Sequence, residues 1–143
     1  MAITQLSVFV ENKAGRLAAI VDLLGKNNIN MRALSIADTA DFGILRLIVD
    51  DSERAISLLS DAGIMVKRTH VIAVAIDDVP GGLSKILTTL SNNGVVIEYM
   101  YAFVGKTHSK AITVLRTDDI NKSLDVLENN GIHPVSDEEI KDI

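Results

Sequence analysis

Two short stretches carry the residue types best suited to hold a small charged molecule. In "NKAGRLAAIV", Asn12 stands three residues ahead of Gly15, with Ala14 before that glycine and Arg16 and Leu17 after it. In "DVPGGLSKIL", Asp78 stands three residues ahead of Gly81, with Pro80 before it and Gly82 and Leu83 after it. Both read as the end of a strand followed by the start of a helix. Glycine at such a corner lets a ligand approach the backbone, and the first helical turn offers N–H donors and the positive end of the dipole. Those donors suit a carboxylate or another small anion. The Asn12 amide can donate and accept, and the Asp78 carboxylate can receive an ammonium group. Together the groups complement an α-amino acid. The same residues also make a plain turn, with glycine for geometry and Asn or Asp for local capping, and spacing alone favours that plainer reading.

The elements that position these corners form a duplication. Gly81 lies 66 residues after Gly15, and the same offset sets Leu17, Ile20, Val21 and Leu24 on Leu83, Ile86, Leu87 and Leu90. Each set has the spacing of a helix with one buried face. Further on, "DDSERAISLLSDAGI" aligns with "DDINKSLDVLENNGI" at an offset of 68. The two extra residues fall in the hairpin, where "VGKTHS" stands opposite "DTAD". Strands are predicted near 3–10, 30–37, 42–49 and 64–67, then near 71–76, 95–103, 110–116 and 132–136. Helices are predicted near 15–27, 52–62, 81–92 and 120–130, with Asp51 and Asp119 capping starts and Gly63, Gly94 and Gly131 closing ends. This order predicts an α+β fold of two ferredoxin-like βαββαβ units, residues 1–68 and 69–143, packed side by side. A unit of this size is marginal alone, and joining sheet edges would serve both halves.

Composition removes several classes of function. The chain of 143 residues is 48% hydrophobic and 23% charged, as a globular protein is. No apolar run approaches a bilayer span and no signal pattern opens the chain, so a cytoplasmic protein with no membrane partner is expected. Without cysteine there is no disulfide framework and no thiolate metal site. The net charge is −5 and the basic residues are scattered, which argues against nucleic acid. "VIAVAI" and "KAITVLR" carry none of the aromatics that an RNA-recognition sheet needs. A Cys-x-x-Cys metal carrier and an acylphosphatase-type phosphate loop are likewise missing. No nucleophile–base pair is visible, so no catalysis, cofactor or metal is expected.

Both halves resemble ACT domains, the small modules that bind amino acids and regulate metabolic enzymes. "VFVENKAGRLAAIVDLLGKNNINM" resembles the ACT segment of phosphoglycerate dehydrogenases, which bind serine. "VAIDDVPGGLSKILTTLSNNGVVI" is similar to the general pattern of strand, D/N-x-P-G-x-L, helix and N-x-G-[IV]-[NDE]. The resemblance implies ligand contacts from the Asn12–Leu17 loop and from Asn30 and Met31 at the start of the next strand. In the second half it implies the Asp78–Leu83 loop, with Val96 at the counterpart of Asn30. It places Ala14 at a usual proline and Val10 at a histidine of the dehydrogenases. It further implies an amino acid bound at a seam between the two domains, an enzyme or regulator as partner, and room for a homodimer. On this reading the chain is a freestanding sensor, with a ligand-free structural or oligomerising module as the alternative. The Asp78 corner, an acid facing Asn30, is expected to bind more tightly than the Asn12 corner facing Val96.

The remaining polar residues read as structural. Asp50-Asp51 and Asp118-Asp119 sit where acids cap a helix and complement its dipole. Asp77-Asp78 lacks further ligands for a magnesium ion. His70, His108 and His133 have no metal-binding spacing. The hairpin carrying His108, Lys106 and Thr107 reads as a surface turn, and Tyr99 and Tyr101 share one strand face and read as packing.

Overall fold

In the computed structural model, residues 1–38, 41–107 and 110–142 are described. The chain divides into two compact units, one of Thr4–Thr69 and one of Met1–Ile3 with His70–Ile143. We call them the N-terminal and C-terminal units.

The N-terminal unit takes its elements in the order β1 (Ile3–Glu11), α1 (Arg16–Lys26), β2 (Met31–Asp38), β3 (Phe42–Val49), α2 (Ser52–Asp61) and the start of β4 (Val66–Asp77). Strand β3 is central, pairing antiparallel with β1 (Val10 opposite Gly43) and with β2 (Ile36 opposite Leu45). At the other side of β1, the Phe9 N–H donates to the Met65 carbonyl. Alternation on β1 sends Leu6, Val8 and Val10 into the core, where they meet Leu45, Leu47 and Val49. Ile20 and Leu24 from α1 and Ala55 and Leu59 from α2 close that core from one face.

The C-terminal unit repeats the plan with the rest of β4, α3 (Gly82–Asn92), β5 (Ile97–Thr107), β6 (Lys110–Thr117), α4 (Ile120–Asn129) and β7 (Pro134–Val135), and adds α5 (Asp137–Lys141). Its strands run β5-β6-β4-β7, all antiparallel. Ile76 opposite Ala111 repeats Val10 opposite Gly43. Its core joins Ile72, Val74 and Leu115 to Ile86 and Leu90 of α3 and Val126 and Leu127 of α4. Each unit is thus an α+β, ferredoxin-like layer of sheet against two helices.

The capping residues act as their types predict. Asp51 accepts from the Arg54 N–H and Asp119 from the Lys122 N–H, each at 3.1 Å. Where Gly94 ends α3 in the left-handed region, Asn28 takes the same conformation after α1, with φ 60°. The two extra residues of the second repeat are absorbed inside β5, as a register shift against β6 between Ala102 and Lys106.

Three expectations need correction. The strands predicted near 64–67 and 71–76 are one strand, β4, because no glycine or proline interrupts Val66 to Asp77. The last predicted strand shrinks to Pro134–Val135, because Ser136 starts a helix. That helix, α5, was not expected. Its signal is present as Ser136 and Glu139, a capping box in which each side chain bonds the other's backbone N–H.

Candidate functional site

The two corners are built alike. Strand β1 ends at Glu11, whose carbonyl accepts from the Lys13 N–H at 2.8 Å; the Lys13 carbonyl then accepts from the Arg16 N–H at 3.2 Å. In the other unit the Asp77 carbonyl accepts from Val79 at 2.8 Å, and the Val79 carbonyl from Gly82 at 3.0 Å. Gly15 and Gly81 stand at the N-caps with φ 86° and 87°, in the left-handed region that favours glycine. Neither α1 nor α3 has a side-chain cap, unlike α2 and α4. The corner helices therefore begin at a glycine with no capping side chain of its own, beside a positive dipole end, and their first N–H groups, those of Arg16 and Gly82, donate back into the turn.

Side chains distinguish the corners. Glu11 pairs with Lys13 at 3.2 Å and more loosely with Arg16 at 4.0 Å. In the C-terminal unit Asp77 pairs instead with Lys110 at 3.4 Å. Asn12 is exposed, its N–H donates to the Asp41 carbonyl at 3.2 Å, and its carboxamide oxygen leans over Gly43. A Cβ on Gly43 would lie 3.5 Å from that oxygen. Asp78 and Pro80 are exposed in the second corner. Gly82 occupies the place of Arg16, yet a Cβ there would fall 2.1 Å from the Asp77 carbonyl oxygen. The tighter corner accepts only glycine at that position.

A cavity borders each corner at the same place in the repeat. In the N-terminal unit it lies between the end of β1, the start of α1 and the turn from α2 to β4, with a volume of about 660 Å³. Phe9, Phe42, Ile64 and Met65 give it an apolar lining beside Arg16 and Glu11. In the C-terminal unit it measures about 350 Å³ and is lined by Asp77, Lys85, Lys110, His133 and Glu139. Apart from Arg16, these lining residues are absent from the sequence-based site. The signal for them is the repeat itself: Phe42 and Met65 stand where Lys110 and His133 stand 68 residues later.

Asn30 and Val96 sit elsewhere in their units. Each lies just before β2 or β5, beyond the far end of the helix whose start forms the corner. Eleven residues at 1.5 Å rise put about 16 Å between those ends. One unit therefore brings Asn12, Ala14, Gly15, Arg16 and Leu17 together, or Asp78 through Leu83, but not Asn30 or Val96 with its own corner. Asn30 and Val96 are instead held by the acids that precede the caps. The Asn30 N–H donates to Asp50 Oδ1 and the Val96 N–H to Asp118 Oδ1, each at 3.0 Å, with a return bond to each carbonyl at 3.1 Å. The acidic pairs thus divide their work, one residue latching a strand start and the next capping a helix. Met31 packs half-buried against the core.

Two of the histidines lie among the described residues. The His70 carbonyl accepts from Arg116 at 2.6 Å, and His133 Nε2 stands 3.4 Å from Glu139. His108 lies outside the described residues. Burial pushes the Glu139 carboxyl up, but hydrogen bonds from Ser136 and His133 outweigh it and hold the group below its ordinary value. Tyr99 and Tyr101 are half-buried on β5. Among the described residues no cluster of three or more His, Cys, Asp or Glu could hold a metal, and no helix is long and apolar enough to cross a membrane.

None of the curated proteins matches the chain in sequence. Among solved structures it is similar to protein BT0572 from Bacteroides thetaiotaomicron, with 40% identity and a TM-score of 0.93 over all of this chain and 98% of that one. It is also similar to the regulatory subunit of aspartate kinase from Thermus thermophilus, with 13% identity and a TM-score of 0.59 over 88% of this chain and 90% of that one. The corresponding subunit from Thermus flavus gives 13% identity and a TM-score of 0.57 over the same shares. At 13% identity the likeness is one of fold. The family model of the ACT domain pair matches residues 1–143, in keeping with two repeated βαββαβ units, and the chain belongs to that family of regulatory modules.

Proposed function

We propose that this chain is an amino-acid-binding regulatory protein whose ligand sits at the glycine corners and changes how the chain meets an enzyme or regulator. One observation carries the reading. A helix start whose N-cap is a left-handed glycine, flanked by a short polar side chain, occurs at the same place in both units. The N–H groups of the first turn would receive the ligand carboxylate. Asp78 would receive the ammonium group in the C-terminal unit, and Asn12 would do so more weakly in the other. Asn30 is assigned a second polar contact, and Val96 its apolar counterpart. The aspartate kinase subunits that share the fold are regulatory by name, which supports a regulatory role here.

A thermal-shift panel against the twenty amino acids tests the reading. At about 100 times Kd a ligand stabilises the folded chain by roughly 2.7 kcal/mol, a shift of several degrees. Asp78→Ala should remove more of that shift than Asn12→Ala, and Asn30→Ala should weaken it. A flat panel at millimolar concentration would instead favour a structural or oligomerising module. Equal losses from Asp78→Ala and Asn12→Ala would overturn the ranking of the corners.

A further inference from the structure

The cavity of the N-terminal unit borders the proposed amino-acid corner at Arg16 and differs from it in chemistry. The amino-acid reading uses the backbone from Gly15 to Leu17 and the side chain of Asn12, which leans toward Gly43. The cavity runs the other way, from the start of α1 to the α2–β4 turn at Gly63 to Met65. Its volume of about 660 Å³ falls within the roughly 300–1,000 Å³ of small-molecule sites. Phe9, Phe42 and Met65 among its lining leave 39%, 52% and 69% of their surface exposed. Three bulky apolar residues around one concavity are more than the scattered exposure that needs no explanation.

Charge selects the polar end of an occupant. Glu11, Lys13 and Arg16 form one local group of net charge +1. The Glu11 carboxylate lies closer to Lys13, at 3.2 Å, than to Arg16, at 4.0 Å. Arg16 lines the cavity beside Glu11, whose charge is offset by Lys13 just outside the lining, and the planar Arg16 guanidinium suits bidentate contact with a carboxylate. A ring placed among Phe9 and Phe42 gains aromatic contacts, and the Met65 thioether adds a sulfur–ring contact. The repeat-related cavity lacks this set. There Arg16, Phe42 and Met65 are replaced by Gly82, Lys110 and His133, and Lys110 is paired with Asp77.

We propose that this cavity is a second ligand site of the N-terminal unit, taking an aryl carboxylate with its ring against Phe9, Phe42 and Met65 and its carboxylate on Arg16. The site shares Arg16 with the amino-acid corner but uses its guanidinium, where the corner uses its backbone. A two-dimensional amide NMR titration of the full chain with 3-phenylpropionate, and in parallel with its neutral amide, tests it. The acid should move the amide signals of Arg16, Gly63, Ile64 and Met65 and leave Gly131 and His133 in place. The neutral amide, and the acid with Arg16→Ala, should each bind roughly tenfold more weakly. Met65→Asp, at an exposed position, should abolish binding with the remaining spectrum unchanged. Asn12→Ala should reduce the amino-acid response and leave 3-phenylpropionate binding intact. Equal affinity for acid and amide, no shifts at all, or shifts confined to Asn12 and Asn30 would each overturn the site. A preserved amino-acid response alongside any of those results would sink this site alone.

Discussion

The two corners share a backbone and differ in what surrounds it. Gly15 and Gly81 have φ within a degree of each other, and the turn hydrogen bonds before them correspond one to one. Around that common frame the N-terminal corner opens onto a wide apolar cavity with Arg16 at its rim, whereas the C-terminal corner opens onto a cavity about half as large, lined by charge. The backbone geometry follows from a left-handed glycine and a helix start, which both copies keep. The lining follows from single residues such as Phe42 and Lys110, which a duplication is free to change without disturbing the fold. Closely similar scaffolds with different walls are what two copies need to recognise different ligands, or to bind one ligand unequally.

If the frame is truly shared, matched core changes should cost the two units alike. Leu24 and Leu90 are repeat partners, and both are fully buried. Leu24→Ala and Leu90→Ala should each destabilise by about 3 kcal/mol in urea denaturation. A large difference would show that the two cores are not equivalent despite their pattern. The corner glycines sharpen the contrast. Gly82→Ala should cost about 2 kcal/mol, since its Cβ meets the Asp77 carbonyl oxygen and the backbone must move. Gly15→Ala and Gly81→Ala meet no neighbour within 4 Å, so only the left-handed backbone penalty of about 1–2 kcal/mol applies, equally in both. Unequal losses at Gly15 and Gly81 would break the claim of a common corner.

The sequence revealed the frame better than the walls. Helix positions such as Ile20 and Ile86, and caps such as Asp51 and Asp119, follow from local periodicity and local hydrogen bonds, which a single chain displays. The repeat pattern divides the run from Val66 to Asp77 into the last strand of one copy and the first of the next, whereas no glycine or proline breaks the strand there. The short helix α5 was overlooked although Ser136 and Glu139 spell its capping box, because five residues give no periodicity to read. The cavity linings combine Phe9, Phe42 and Met65 from three separate parts of the chain. No spacing rule joins such residues, and only the sheet order that sets β1 beside β3 and Met65 beside Phe9 brings them together. Asp50 and Asp118 look in sequence like part of the caps, because their bonds to Asn30 and Val96 span 20 and 22 residues and leave no local signal.

The caps offer a smaller and more even test. Asp51→Ala and Asp119→Ala should each lower stability by about 1 kcal/mol, because each removes one 3.1 Å acceptor from a first-turn N–H. Equal values would extend the equivalence of the units from the core to the helix ends. A cost at only one position would mean that the N–H at the other helix start finds a replacement acceptor.

The smallest expected effect belongs to the element that one unit has and the other lacks. Helix α5 begins at Ser136, whose hydroxyl accepts from the Glu139 N–H at 3.2 Å, while Glu139 Oε1 accepts from the Ser136 N–H at 3.4 Å. Ser136→Ala should cost somewhat under about 1 kcal/mol, as befits a cap on a partly exposed five-residue helix. Its pH dependence separates it from the caps in the paired helices. The Glu139 carboxyl is held below its ordinary value in the folded chain, so its contribution is present above the ordinary glutamate range. That contribution is lost as pH falls through the lowered folded value. The gap in Tm between the native chain and Ser136→Ala should therefore narrow as pH is taken from about 7 to about 3. A gap that stays constant would mean that the serine acts through the backbone alone. A gap that widens would reverse the sign assigned to Glu139. Because Glu139 also lines the charged cavity, acid that weakens this box would loosen a wall present only in the C-terminal unit, and the contrast between the two cavities would itself depend on pH.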